Sequence, residues 1–169
     1  MPQVNNFNYI EFNQYRAAYL KNGADRSMVV NGSVTPVEFS YSPPAGFDFL
    51  VSRLAGHMID NKTMNADTFG GIATVLTNGV RIYLKGPDDI ETSDFLDGTT
   101  LQRNGDFDAF FTTTSLLSNR GMGFRWESFG IPARLRENNS FAVSIEDDLS
   151  SLIHFEMILH GVMIPTEGD

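Results

Sequence analysis

The chain has no cysteine, which excludes disulfides, thiolate metal sites and a cysteine nucleophile. It has no run of about eighteen apolar residues, the length a membrane-crossing helix needs, so no membrane partner is expected. Its first residues, Met1-Pro2-Gln3-Val4-Asn5-Asn6, hold neither a basic cluster nor an apolar stretch, and no secretory signal is expected. Positive charge is scarce where it would matter. Residues 1–85 carry seven Lys+Arg against six Asp+Glu, a net of +1; residues 86–169 carry five against fifteen, a net of −10. Phosphate binding needs a basic surface, so nucleic acid is a poor partner. The acidic half keeps the chain solvated or faces a basic surface. No G-x-S-x-G, phosphate-loop or dinucleotide motif is present. The expectation is a non-enzyme without cofactor.

What remains is a chain of 169 residues, 41% hydrophobic and 20% charged, which suits one domain with a real core. Its last strand organises the rest. From Ile153, the residues Ile153, Phe155, Met157 and Leu159 alternate with His154, Glu156 and His160, the two-residue period of a strand with one buried face. Ile158, Val162 and Ile164 interrupt the polar face, so the far end is expected to be covered on both sides. Earlier, Ser27–Val30, Thr35–Tyr41 and Phe47–Ile59 read as strands, with Gly56 marking a bulge or bend in the last. Asn78-Gly79 between Ala73–Thr77 and Val80–Leu84 is a hairpin signal, because a type I′ turn needs positive φ at both central residues. Strand candidates continue at 99–102, 106–112, 124–127, 131–135 and 141–145. The turn 147–151 reads as one helical turn capped by Asp147 or Asp148.

Eight to ten short strands punctuated by Gly, Asn, Pro and Asp, with no long periodic helix, predict an all-β fold. A jelly-roll-like β-sandwich is the first expectation, and an immunoglobulin-like sandwich the alternative. Residues 1–22 read as an N-terminal arm and 23–169 as the single sandwich domain. Within the arm, 14–21 could form two helical turns stopped at Asn22-Gly23. The aromatics Phe7, Tyr9, Phe12, Tyr15 and Tyr19 are the residues such an arm would use to anchor on a neighbour.

Chemical sites are few. His154 and His160 share a face but stand about 20 Å apart at the rise of a strand, too far to hold one metal. Whether His57 approaches either depends on the sheet. The acidic groups Asp88-Asp89-x-Glu91 and Glu146-Asp147-Asp148 lack calcium-loop spacing and read as solvated loops. Trp126 reads as core rather than as a sugar platform.

Phe47–Asp60, Leu76-Thr77-Asn78-Gly79-Val80, and Ile145-Glu146-Asp147-Asp148-Leu149-Ser150 with the long strand after it resemble small accessory virion proteins of tailed bacteriophages. The resemblance lies in overall character, which is all-β, cysteine-free, rich in Asn, Gly and Thr, and acidic. It implies a structural virion protein made in the host cytoplasm, a capsid decoration or cement subunit that trimerises and contacts the major capsid protein. Ile158, Val162 and Ile164 would then be buried against a symmetry mate. The alternative is a receptor- or carbohydrate-binding sandwich of a tail or fibre.

Overall fold

The computed structural model describes residues 15–60, 78, 80–87, 91–94, 108–110, 121–127 and 133–166, with 15, 91–94, 108–110, 121–127 and 133 as backbone. Its two longest strands are β3 (Phe47–Ile59) and β10 (His154–Pro165), and they pair antiparallel from Phe47↔Pro165 to Ile59↔His154. Both are rich in β-branched, aromatic and long apolar residues, which fit a pleated, half-buried surface. A stiff turn starts β3: Phe47 N–H donates to the Pro44 carbonyl at 3.1 Å, and Gly46 supplies the positive φ of 81° that this turn requires.

Around this pair stand two antiparallel sheets. The first has the order β1 (Tyr15–Tyr19), β10, β3, β7 (Gly121–Glu127), β6 (Asp108–Phe110). The free side of β3 is divided: Phe49–Val51 pairs with β8 (Ala133–Leu135), and Arg53–Ile59 pairs with β7. The second sheet has the order β2 (Val37–Tyr41), β9 (Ser140–Ile145), β4 (Val80–Lys85), β5 (Glu91–Asp94). The inner faces meet in one core. Phe49 and Phe155 from the first sheet are buried with Phe39 and Phe141 from the second, together with Leu54, Met58, Ile82 and Val143. Each such side chain contributes about 1.5–3 kcal/mol of burial. The all-β sandwich expected from the sequence is the fold observed.

A bulge sets which residues of β3 look inward. His160 pairs with Arg53 and Gly161 with Val51, so Ser52 is the extra residue. Before it Phe49 and Val51 are buried; after it Leu54 and Met58 are. On β10 the inward series Phe155, Met157, Leu159 runs on unbroken. The bulge thus lies at Ser52, four residues before the expected Gly56. Gly161 is there because the backbone comes too close: a Cβ would lie 2.1 Å from the Leu50 carbonyl oxygen.

Other expectations are corrected. The segment 15–19 is a strand, not a helix. It pairs with Ile158–Val162 of β10, and this pairing satisfies backbone groups that a bare β10 edge would leave to water. Tertiary pairing here overrides a modest helical preference. Residues 15–22 therefore belong to the sandwich, with Ala18 and Leu20 in its core; residues 1–14 lie outside the described residues. Ser27–Val30 forms no strand; Met28 N–H donates to the Phe155 carbonyl at 2.8 Å and its side chain is buried. Around Asp148 the chain makes a turn in which the carboxylate accepts from Ser150 N–H at 3.0 Å and Ser150 Oγ, not a capped helical turn. Of the Asn78-Gly79 hairpin only Asn78 and the second strand are described; that strand, β4, lies between β9 and β5. The candidate strand 99–102 also lies outside the described residues. Trp126 stands opposite Leu54 in register.

Candidate functional site

The outer face of the first sheet gathers most of the residues singled out above. Tyr15 stands opposite Val162 and Tyr19 opposite Ile158, so the two halves of the expected interaction set lie on adjacent strands. Ile158 and Val162 are each 9% exposed within the single chain, and Ile164 is half-buried. The first two are thus already covered without a symmetry mate, which corrects the expectation that this patch needs one. Phe7, Tyr9 and Phe12 lie outside the described residues. Ile59 and Ile153, at 38% and 60% exposure, extend the apolar surface at the end where β10 begins, joined by Ile153 N–H to the Ile59 carbonyl at 3.1 Å.

All three histidines are on this face. His57 stands opposite Glu156 in register, between His154 and His160 along β10. This placement follows from the pairing of β3 with β10 and is invisible in either strand alone. Glu156 has two nitrogen-bearing neighbours: Arg26 Nε at 3.6 Å and His154 Nε2 at 3.6 Å. The Arg26 guanidinium also lies 4.5 Å from the Tyr19 ring centroid, a cation–π contact that fixes the segment after β1 against the sheet. Arg53 Nη2 is 3.3 Å from His160 Nε2. Partial burial lowers the pKa of His160, and the electrostatic influence of neighbouring Arg53 and His57 acts in the same direction. His160 is therefore held neutral at pH 7, with Nε2 able to accept from Arg53. Arg53 Nε is buried without a hydrogen-bond partner among the described residues. No three His, Asp or Glu side chains converge on a metal-sized site among the described residues.

The acidic turn at 146–148 performs structural work. Asp147 accepts from Asn78 N–H at 2.8 Å, and Asp148 closes on Ser150. Asp148 has a lowered pKa from these hydrogen bonds with the Ser150 side chain and backbone. The second sheet's outer face carries a separate network in which Glu38 accepts from Tyr83 Oη and from Lys85 Nζ, the latter at 2.7 Å. At the start of β3, buried Asp48 accepts from Arg134 Nε at 2.6 Å and Glu137 N–H at 3.1 Å, tying β3 to the β8–β9 turn.

A second feature lies where β1 and β2, the end strands of the two sheets, run side by side. Lys21 and Ser40 exchange backbone hydrogen bonds of 3.0 and 2.8 Å, and beyond them the strands part. The cleft so formed has a volume of about 600 Å³ and is lined by Arg16, Tyr19, Lys21, Ser42, Tyr41 and Met163 among others. Tyr41 Oη lies 3.7 Å from Met163 Sδ, and burial raises the phenol's pKa. Comparison with family models, with curated proteins and with solved structures gave no match.

Proposed function

We propose that the chain is a non-enzymatic structural subunit of a virion, a capsid decoration protein that acts as a homotrimer against the major capsid protein. The observation that carries this reading is the apolar surface left open on the first sheet, with exposed Ile59 and Ile153 where β10 begins and half-buried Tyr19 and Ile164 farther along. A rigid sandwich with an open apolar surface is what a subunit needs to seat on a neighbour. The strand orders β1-β10-β3-β7 and β2-β9-β4-β5 support a jelly-roll winding, in which strands from the two ends of the chain pair at the middle of each sheet. Light scattering of the full chain at micromolar concentration tests the reading. It expects three times the 18.8 kDa chain mass; a monomer overturns it.

The β1–β2 cleft favours a second reading, a carbohydrate- or receptor-binding module. Tyr19 and Tyr41 line it together with Ser40 and Ser42, a mixture of ring and hydroxyl surface. A glycan array with a calorimetric calcium titration separates the two readings. Saturable glycan binding by a monomer supports the second.

A further inference from the structure

Four Asn-Gly pairs stand in the chain, beginning at Asn22, Asn31, Asn78 and Asn104. Such a pair is chemically labile, because the glycine nitrogen, unhindered by a side chain, can attack the carboxamide carbon of the asparagine. Both members of Asn22-Gly23 and of Asn31-Gly32 are described, and the fold treats these two pairs in opposite ways. Asn31-Gly32 is pinned. Leu149 N–H donates to the Val30 carbonyl at 2.8 Å, and Gly32 N–H donates to the Asp147 carbonyl at 2.9 Å. The nitrogen that would attack is thus already committed. So is its target: Asn31 Oδ1 accepts from Ser33 N–H at 3.0 Å and from Ser33 Oγ at 2.6 Å, which holds the carboxamide toward Ser33. Gly32 is buried, and a Cβ there would lie 1.9 Å from the Ile145 carbonyl oxygen, so the backbone has no room to swing.

Asn22-Gly23 is open. Both residues are exposed, as are Lys21, Ala24, Asp25 and Arg26 around them. Gly23 has φ of 59°, and nothing lies within 4 Å of where its Cβ would be. Among the described residues, neither the Gly23 N–H nor the Asn22 carboxamide makes a hydrogen bond. The turn is closed by one pair of backbone bonds, Asn22 N–H to the Asp25 carbonyl at 2.8 Å and Asp25 N–H to the Asn22 carbonyl at 3.0 Å. A short surface turn of this kind opens locally at little cost, whereas Gly32 is released only by parting its segment from the core.

We propose that Asn22 is a site of spontaneous deamidation, at the mouth of the β1–β2 cleft. The Gly23 nitrogen loses its proton to water and forms a bond to the Asn22 carboxamide carbon. The bond from that carbon to the side-chain nitrogen breaks, ammonia leaves, and a cyclic imide joins the two residues. Water then opens either carbonyl of the ring and gives aspartate or isoaspartate at position 22. Water is the only co-reactant, so the site stands under either reading of the function. The product carries a carboxylate beside Lys21, where Lys21 and Gly23 line the cleft and the Lys21 backbone bonds to Ser40. The isoaspartyl form also routes the backbone through an extra methylene and lengthens the turn that Asn22 and Asp25 close.

The test needs no variant. The full chain is aged at mildly alkaline pH, one sample folded and one in concentrated urea, and both are digested with trypsin. Cleavage after Lys21, Arg26 and Arg53 puts Asn22 and Asn31 on separate peptides, 22–26 and 27–53, each with a single asparagine. Mass spectrometry then reads the conversion of amide to acid in each peptide. In urea the two should convert at similar rates. In the folded protein the 22–26 peptide should convert and the 27–53 peptide should lag by about tenfold or more. Equal conversion of the two peptides in the folded protein overturns the assignment. So does a 22–26 peptide that stays intact in the folded protein while the urea sample reacts.

Discussion

Replacing Gly161 by alanine should cost more than any other single added methyl on β10, because the obstacle is backbone. The new Cβ would lie 2.1 Å from the Leu50 carbonyl oxygen, 2.9 Å from its carbon and 3.1 Å from the Phe49 ring. A side chain could rotate aside; a carbonyl already committed to the β3–β10 ladder cannot. To reach ordinary contact the two strands must separate by about an ångström at the bulge, where Ser52 Oγ also donates to the His160 carbonyl at 3.1 Å. Overpacking of this kind costs about 1–3 kcal/mol. One or two weakened ladder hydrogen bonds add about 1 kcal/mol each. The sum is ~2–5 kcal/mol, a large part of the roughly 5–15 kcal/mol typical of a domain. Gly23→Ala is the reference. Gly23 has φ of 59° with nothing within 4 Å, so alanine there meets only the left-handed penalty of ~1–2 kcal/mol. Urea unfolding followed by circular dichroism compares the two. With a slope of ~2 kcal/mol per molar, Gly161→Ala should lower the midpoint by ~1–2.5 M, about twice the shift from Gly23→Ala. Equal midpoints for the two variants would refute the bulge geometry.

Asp48→Ala should lose about 2–3 kcal/mol in the same assay, because it leaves the Glu137 N–H and the Arg134 guanidinium without their shared acceptor; Asp48→Asn, which keeps one carbonyl, should lose less. Tyr83→Phe should cost about 1 kcal/mol by removing the donor to Glu38, while Lys85 still holds that carboxylate. His160 is a base whose folded pKa lies below its unfolded value near 6.5, so the unfolded chain binds the proton more readily. Its contribution to stability is complete above that value and is lost as pH falls below it. His160→Gln should therefore flatten the pH dependence of the urea midpoint between about pH 7 and 5; an unchanged slope would count against a held-neutral His160. Tyr41 has the opposite sign: its raised pKa gives stability present below pH ~10 and lost as pH rises beyond it, which Tyr41→Phe should remove.

The strands legible in the sequence are those with two-residue alternation over five residues or more. Val37–Tyr41, Phe47–Ile59 and Ser140–Ile145 fall where the pattern of Phe39, Phe49 and Phe141 places them. What the pattern cannot supply is pairing. Tyr15 and Tyr19, four residues apart, share a face in a helix and in a strand alike, and only the open side of β10 decides between them. The bulge departs from expectation for a related reason. Gly56 reads as the irregular residue of β3, but the close approach occurs at Gly161 on the other strand, opposite the bulge at Ser52. A glycine reports tight space at its own position; which strand carries the extra residue is a property of the pair.

The same dependence on pairing governs the candidate site. His57, His154 and His160 are scattered over a hundred residues, and the register of β3 against β10 puts them on one face around Glu156. It also changes what the N-terminal segment can be used to test. Removing residues 1–22 would look like removal of an arm, yet it would take Leu20, fully buried, and Ala18 out of the core. It would also strip β1 from the edge of β10 and expose a long apolar strand. Loss of assembly in such a truncation would report misfolding as readily as a lost contact. Charge reversal at Lys21, an exposed residue already tied through its backbone to Ser40, leaves the ladder and the core in place. It alters only the charge presented at the β1–β2 cleft, and so tests that surface without disturbing the fold.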